Sequence, residues 1–209
     1  MQYNFLDETN QAGTEGLHYA AAKNIAVMIM EPLRGGMPAG KLPEEVEQIY
    51  RYAGAKRSAA AWALRWVWDH PEVTVVLSGM NDETHIAENL KTCEDALPGS
   101  MTPGELATME EMAGTYRKLI KVGCTGCAYC MLCPTGVNIP QCFSIFNDYY
   151  MGNNSLITRG MYGMILMGAT GSPATDASLC GKCTKACPQK IAIPEELKKV
   201  RSTLGGFAR

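Results

Sequence analysis

The chain has 209 residues, enough for one large domain or for a moderate domain and a small one. Hydrophobic residues make up 46% and charged residues 19%, which indicates a globular protein and excludes a disordered one. The longest apolar stretches, Ile25–Met30 and Met161–Ala169, are shorter than the about 20 residues that cross a bilayer. The N-terminus also lacks the basic-then-apolar pattern of a signal peptide, so we expect a cytoplasmic protein that does not bind membranes.

Charge is distributed unevenly along the chain. Residues 1–123 carry a formal charge of −6, and residues 124–209 carry +4. The basic half has neither a dense Lys/Arg run nor a basic stripe interleaved with aromatic residues, so nucleic acid is not expected as a partner.

The first hundred residues alternate between strand-like and helix-like patterns. Gln2–Leu6 is a short strand candidate, and the apolar runs Ile25–Met30 and Val73–Leu77 are typical of parallel strands buried on both faces. Helical patterns cover Leu17–Asn24, Glu44–Tyr52, Ser58–Asp69 and Asp82–Thr92. This alternation predicts an α/β layer with a parallel sheet.

Two helix boundaries are indicated by capping residues. Asn81 is the predicted N-cap of the helix at Asp82–Thr92, in which Ile86 and Leu90 would point inward. Thr102-Pro103-Gly104-Glu105 begins a helix that is expected to reach Lys121. We therefore predict one region at residues 1–100, a connecting helix at 101–122 and a second region at 123–209.

Nine cysteines are the most informative feature of the composition. The odd number argues against complete disulfide pairing, and all except Cys93 lie between Cys124 and Cys187. One group has cysteines at 124, 127, 130 and 133, the other at 180, 183 and 187. Both groups end in Cys-Pro and are followed by an Ile-Pro turn, while residues 153–177 between them show little regular pattern.

Evenly spaced cysteines in a compact loop can direct three thiolates at three irons of one cubic cluster. A fourth cysteine followed by proline turns the chain away and suits a neighbouring cluster. Zinc is the alternative metal, although it prefers two short pairs that converge on one ion. The neighbouring Lys182, Lys185 and Lys190 would compensate the negative charge of such clusters.

This segment resembles the bacterial-type ferredoxins with two [4Fe–4S] clusters, over about residues 120–200. The resemblance implies that Cys124, Cys127, Cys130 and Cys187 hold one cluster, and that Cys133, Cys180 and Cys183 hold the second. Ala177 stands where a further ligand is expected. The second site would then hold a [3Fe–4S] cluster, or a [4Fe–4S] cluster in which one iron has a ligand other than cysteine. A third possibility is that it recruits Cys142 from a helix predicted at Pro140–Tyr150. Cys142 also fits a second interpretation, as a small apolar side chain buried in the core.

The first half resembles the C-terminal part of the aldo/keto reductases, (β/α)8 barrels that reduce carbonyls with NADPH. The segments that carry the resemblance are IAVMIMEPLRGG, SAAAWALRWVWDHP and TVVLSGMNDETHIAENL, which correspond to the last three barrel strands. It implies that the adenosine phosphate approaches Ser78, Gly79, Met80 and Asn81 and that the adenine approaches Glu88 and Asn89. Exposed helix surface is the alternative for Glu88 and Asn89. His85 replaces an arginine that grips the phosphate, and Met30 replaces an aromatic residue that stacks on nicotinamide.

The fold class expected from both resemblances is α/β, a partial (β/α)8 barrel followed by a small α-rich, ferredoxin-like iron–sulfur domain. The catalytic Asp, Tyr, Lys and His of the family come from earlier strands, so the resemblance assigns no catalytic residue here. NADP(H) binding would require a complete barrel, supplied by a second chain or by a longer protein of which this sequence is a piece. The expected function is an iron–sulfur electron-transfer module of an oxidoreductase with a redox partner; the alternative is a non-catalytic protein with structural or redox-sensing clusters.

Overall fold

The computed structural model describes residues 1–9, 11–40, 42–131, 133–151, 155–166 and 181–205. The chain divides into two compact units, Met1–Arg117 and Lys118–Arg209, called unit 1 and unit 2 below. No helix in the described ranges is both long enough and apolar enough to span a membrane.

Unit 1 is mixed α/β and mostly helical. In chain order its elements are α1 (Gly13–Ala22), β1 (Met28–Ile29), α2 (Glu44–Tyr52), α3 (Ala59–Trp68), β2 (Val75–Val76), α4 (Glu83–Asp95) and α5 (Pro103–Leu119). The strands β1 and β2 pair in parallel, with Met28 opposite Val75 and Ile29 opposite Val76. Gln2 adds a parallel bridge to Met30 on the other side of β1. This arrangement is compatible with part of a (β/α)8 barrel.

The core of unit 1 lies between the helices and one side of the sheet. Tyr3, Ile29 and Trp62 are each 0% exposed, as are Leu17, Val46, Val67, Met112 and Tyr116. Helix α3 supplies much of this core because its small and large apolar residues surround most of the helix. Its N-cap Ser58 accepts a hydrogen bond from the Ala61 amide, as is usual for serine at this position.

The predicted burial of both strands on two faces is wrong. Met28 and Met30 are 51% and 52% exposed, whereas the alternating Val27 and Ile29 are buried. Val75 and Leu77 are exposed as well. The reason is that helices cover only one face of this short sheet, so its side chains alternate between buried and exposed.

The predicted inward face of α4 is also wrong. Ile86 and Leu90 are exposed, while Asn89 and Thr92 are the buried residues of the helix. The N-cap is Asp82 rather than Asn81, and its side chain accepts hydrogen bonds from the amides of Thr84 and His85. Helix α2 and the start of α5 agree with the prediction. Thr102 and Glu105 form the reciprocal hydrogen bonds of a capping box at the start of α5, which ends slightly before the predicted Lys121.

Unit 2 is helical in its described part, where no β-strand is present. Its helices are α6 (Ile139–Tyr150), α7 (Ser155–Leu166), α8 (Lys182–Ala186) and α9 (Ile193–Leu204), and a short 3₁₀ turn covers Tyr129–Met131. The helices α6 and α9 each begin at an Ile-Pro pair that follows a cysteine group. The presence of α7 corrects the expectation of little regular structure between the cysteine groups, at least for residues 155–166. Ala177 lies outside the described residues.

A single apolar core joins the helices of unit 2. It contains Phe143 and Phe146 of α6, Tyr162 of α7, and Leu197 and Val200 of α9. Cys142 is 0% exposed within this core, in agreement with its interpretation as a buried apolar side chain. By contrast Cys93, which lies apart from the other cysteines in the sequence, is exposed on α4.

Candidate functional site

The carboxyl ends of β1 and β2 open into a pocket with a volume of about 580 Å³. The loop after β1, the N-terminus of α3 and the segment from Leu77 to Asn89 form its walls. Six of the seven predicted nucleotide-binding residues line it: Ser78, Gly79, Met80, His85, Glu88 and Asn89. The seventh, Asn81, is exposed and is not among the described lining residues. Parallel α/β structures place ligands at this end of their strands.

Glu88 and Asn89 are not simple exposed helix surface. Asn89 is 7% exposed, and Glu88 is partly buried and accepts a hydrogen bond from Ser58 Oγ. Ser58 therefore links the start of α3 to α4 across one wall of the pocket. In the sequence Ser58 is only the first residue of a predicted helix, and nothing there indicates a place in the site.

The loop after β1 is held by a buried polar network. Asp7 Oδ2 accepts hydrogen bonds from Gln2 Nε2 at 2.7 Å, Asn4 Nδ2 at 3.1 Å and Arg34 Nε at 2.8 Å. Both Asp7 and Arg34 are 8% exposed. Asn4 Nδ2 also donates to the Glu31 carbonyl at 2.9 Å, so the network fixes the loop at two points.

Two glycines allow this loop to turn into the pocket wall. Gly35 has φ +68° and Gly36 has φ +83°, in the left-handed region that glycine adopts without steric cost. Glu31 accepts a hydrogen bond from the Gly35 amide through its carboxylate and lines the same pocket. The sequence of this segment is rich in Gly and Pro, and no pattern in it marks Glu31 as a pocket residue.

In unit 2, a second pocket brings together cysteines that are distant in sequence. Cys124, Cys127, Cys130 and Cys187 all line it, and the cavity between them has a volume of about 10 Å³. Apolar side chains from the starts of α6 and α9 supply the rest of the wall, chiefly Ile139, Phe143, Ile191 and Ile193. These four cysteines are the set that the ferredoxin resemblance assigns to the first cluster.

The pocket is unfavourable for ionised thiols that lack a counter-charge. Burial raises the pKa of Cys130 to about 11, and the neighbouring Cys124, Cys127 and Cys187 add to this increase. A cysteine thiol binds a metal only after it has lost its proton. A cation in the pocket would therefore be needed to offset both the burial of the thiols and the repulsion between neighbouring thiolates. Sulfur donors and apolar walls fit an iron–sulfur cluster, whose thiolates each bind a different iron.

Asn147 of α6 fixes the entry to this cysteine loop. It is 8% exposed, and its Oδ1 accepts hydrogen bonds from the amides of Lys121 and Val122, both at 3.0 Å. Its Nδ2 donates to the Val122 carbonyl at 2.8 Å. Within the loop, Gly126 and Ala128 adopt φ of +74° and +63°, and the Gly126 amide donates to Cys124 Sγ at 3.4 Å.

The second predicted cluster site is described only in part. Cys133 Sγ lies 3.2 Å from Thr135 Oγ1, and although burial raises its pKa, hydrogen bonds from Thr135, Val137 and Gly136 bring that pKa below its ordinary value. Burial raises the pKa of Cys183, and the nearby Cys133 adds to this. Cys180, the third predicted ligand of this site, lies outside the described residues.

The comparison with known families concerns unit 1. Residues 1–103 match the aldo/keto reductase family model. This match relates the first half of the chain to an oxidoreductase family, and it ends before the cysteine groups. Neither the search of curated proteins nor the search of solved structures found a match.

Within residues 1–103, the pocket at the strand ends contains six of the residues to which the resemblance assigns a nucleotide. Met30, the position of nicotinamide stacking, is 52% exposed and is not among the described lining residues. Across both units, the described residues include no group of three or more His, Cys, Asp or Glu side chains that could hold a metal ion. The assignment of cluster ligands thus stays a prediction, supported by the shared pocket of four thiols.

Proposed function

We propose that the chain is an iron–sulfur electron-transfer module of an aldo/keto reductase-like oxidoreductase. The observation that carries this proposal is the convergence of Cys124, Cys127 and Cys130 with Cys187 on one pocket. More than fifty residues separate Cys130 from Cys187 in the sequence, so their meeting requires the fold of unit 2. A cluster bound there supplies one-electron transfer.

The surroundings of the four thiols suit this role. Ile139, Phe143 and Ile193 exclude water from one side of the pocket, which strengthens metal–thiolate interactions and protects a cluster from hydrolysis. Lys182, Lys185 and Lys190 are exposed close to Cys183 and Cys187 in sequence, where they would offset the negative charge of bound clusters. Cys133, Cys183 and Cys180 are proposed as the ligands of a second cluster.

The pocket of unit 1 supports the nicotinamide-linked part of the proposal. It lies at the carboxyl ends of the parallel strands in the region that matches an oxidoreductase family. Carbonyl reduction itself requires catalytic groups for which this sequence has no counterpart, so we propose that another chain, or a further part of a longer protein, supplies them.

Anaerobic purification with iron and sulfide analysis and EPR spectroscopy tests the cluster assignment. We expect about eight irons for two cubic clusters, or about seven if the second is [3Fe–4S]. Cys124→Ala should remove one cluster, whereas the matched Cys93→Ala, which alters an exposed cysteine of α4, should leave the metal content unchanged. Zinc without sulfide, or equal metal content in both variants, would refute the proposal.

A structural or redox-sensing role is the second candidate, and one observation favours it. The thiol pocket is lined by residues that also belong to the core of unit 2, among them Ile139, Phe143 and Ile193. A cluster in this position would therefore contribute to folding as a structural metal does. Redox titration separates the roles: reversible reduction without loss of iron supports electron transfer, and loss of iron on reduction supports the structural or sensing role.

A further inference from the structure

The thiol pocket of unit 2 has one side toward the apolar core and another toward solvent. Ile139, Phe143 and Ile193 form the first side and are buried in the core. The second side is the loop that contains Cys127 and Ala128, which both line the pocket and are both exposed. A redox group held in this pocket would therefore be closest to solvent, and to any protein that exchanges electrons with it, at this loop.

Two large side chains are exposed next to this loop. Tyr129 is 63% exposed and stands between Ala128 and Cys130, which both line the pocket. Met131 follows in the same 3₁₀ turn and is 44% exposed. Aromatic residues and methionine are enriched in the central part of protein–protein interfaces. Tyr129 and Met131 thus give this side of the pocket the apolar centre of a docking surface.

Three exposed lysines lie beside this apolar centre. Lys182 and Lys185 belong to α8, which packs against the 3₁₀ turn that carries the two apolar residues. Lys190 stands between Gln189 and Ile191, which both line the thiol pocket. All three lysines therefore belong to segments that adjoin the pocket and its exposed loop.

The positive charge of these lysines is not balanced nearby. Among the described residues, no side chain pairs with any of the three ammonium groups, whereas Lys199 of α9 pairs with Glu196 at 2.7 Å. The sequence has no Asp or Glu from residue 118 to 147 or from residue 181 to 194, the segments that form the pocket and its surroundings. The result is a surface with an apolar centre and charges of one sign. We call it the lysine face; it consists of Tyr129, Met131, Lys182, Lys185 and Lys190.

The composition of the lysine face indicates the chemistry of its partner. Charges of one sign around an apolar centre favour a protein that carries the opposite charge. A nucleic acid fits less well, because its binding surfaces combine a basic groove with several aromatic side chains on which bases stack, and the lysine face has one tyrosine.

We propose that the lysine face is the docking surface for an acidic redox protein. The inference rests on the proposed electron-transfer function and specifies the charge of the partner and the place where it binds. The lysines attract the acidic surface of the partner, and Tyr129 and Met131 become buried when the complex forms. In the complex one electron passes between the two proteins, so that one is oxidised and the other reduced, and no atom is transferred. Because the ammonium groups are exposed to water, this attraction weakens as the salt concentration rises.

Binding of an acidic flavodoxin to the full-length chain, measured by isothermal titration calorimetry, tests this inference without an activity measurement. Titrations at several salt concentrations give the Kd and its salt dependence, and iron and sulfide are determined for every sample. A variant that combines Lys182→Gln, Lys185→Gln and Lys190→Gln should bind at least about tenfold more weakly at low salt, with a flatter salt dependence.

The matched control removes the same charge from exposed lysines of unit 2 outside the lysine face. It combines Lys118→Gln, Lys198→Gln and Lys199→Gln, and its Kd should differ from that of the unaltered chain by less than about twofold.

The apolar centre is tested separately from the charges. Tyr129→Ala should weaken flavodoxin binding by about tenfold and leave the salt dependence as it is, because it removes an apolar contact and no charge. Tyr129→Phe keeps the ring and should bind as the unaltered chain does. The iron content should be the same in both variants, which separates a loss of docking from a loss of the cluster.

Each contrary result has a distinct meaning. Equal Kd values for the two lysine variants overturn the inference, and so does tighter binding of a basic cytochrome c than of the flavodoxin. Binding of polyuridine RNA in place of the flavodoxin assigns the lysine face to nucleic acid and also overturns it. A chain that contains iron and sulfide but does not bind the flavodoxin overturns the inference alone. A chain without iron that binds the flavodoxin through the three lysines refutes the proposed function and supports the docking surface.

Discussion

Replacing Asp7 with alanine removes one half of a buried ion pair, and we expect the free energy of unfolding of unit 1 to fall by about 3–5 kcal/mol. The size follows from what remains: the Arg34 guanidinium, 8% exposed, would lose its carboxylate partner at 2.8 Å. The side-chain amides of Gln2 and Asn4 would lose an acceptor as well. For a unit of ordinary stability this is about half of the total.

The three tryptophans of the chain make the measurement selective. Trp62, Trp66 and Trp68 all lie in α3, so intrinsic tryptophan fluorescence reports the unfolding of unit 1. With a urea m-value of about 2 kcal/mol per M, the expected loss moves the unfolding midpoint down by about 2 M.

The neighbouring Glu8→Ala is the matched control. Glu8 also pairs with an arginine, Arg117 at 3.1 Å, but the two side chains are 35% and 46% exposed. Exposed pairs contribute about 0–1 kcal/mol, so this variant should unfold almost as the parent does. Equal midpoints for Asp7→Ala and Glu8→Ala would refute the reasoning. The double variant Asp7→Ala, Arg34→Met should lose less than the two single changes together, because no unpaired charge remains.

Three further changes test other parts of the packing. Leu64→Ala leaves a cavity at a side chain that is 1% exposed and should cost about 2–5 kcal/mol by urea titration of the tryptophan fluorescence. Partial burial raises the pKa of Glu105, but hydrogen bonds from Thr102 and Arg57 lower it more, so the net shift is downward from 4.5. The contribution of the ionised Glu105 to the stability of unit 1 is therefore complete above pH 4.5, the pKa in the unfolded chain, and is lost as pH falls through the lower pKa of the folded chain. Glu105→Gln should therefore flatten the dependence of unit 1 stability on acidic pH, measured by the same titration. Asn147→Ala should destabilise unit 2 by about 2–4 kcal/mol in scanning calorimetry, since two buried amides and a carbonyl lose their partner.

Each of these changes has a counterpart that should behave differently. Leu90→Ala alters an exposed leucine and should change stability by less than about 0.5 kcal/mol, whereas a large loss would mean that the sequence-based inward face of α4 was right. Glu94→Gln should leave the acid dependence of stability as it is. Asn147→Asp keeps the oxygen that accepts from Lys121 and Val122, but it replaces the donor to the Val122 carbonyl with a second oxygen. It should therefore retain more of the stability than Asn147→Ala at acidic pH, where the carboxyl group is protonated and can donate; the opposite order at acidic pH would contradict the role given to these bonds.

Local signals in the sequence predicted most helices of this chain. The bounds of α2 agree with its periodicity, and α5 begins at the Thr-Pro-Gly-Glu sequence because capping depends only on neighbouring residues. In unit 2 the ferredoxin resemblance grouped Cys124, Cys127, Cys130 and Cys187, which line one pocket, and their role as cluster ligands stays a prediction. Burial was harder to predict because it depends on which elements are present to cover a face. Met28 and Leu90 are apolar and exposed for this reason, while Asn89 is polar and buried at the pocket.

The residues of the unit 1 pocket could likewise be predicted from the sequence only in part. Ser78, Glu88 and Asn89 could be recognised by resemblance, whereas Glu31 and Ser58 reach the pocket through tertiary structure. Asp82 displaced Asn81 as the cap because the two residues have similar capping preferences and a shift of one residue decides between them.

The bonds of Asn147 have a consequence for how the cysteine loop would acquire metal. Residues 121 and 122 are tied to α6, and α6 itself begins at Ile139, so the segment from Cys124 to Cys133 is anchored at both of its ends. A loop that is closed before metal arrives has already lost most of its conformational freedom during folding. Its affinity for a cluster would then depend little on ordering the chain, and the shape of the loop would favour an assembled cube over ions that bind one after another. Loosening the anchor at Asn147 would transfer this ordering cost to the binding step, so it should lower the affinity of the loop for a cluster.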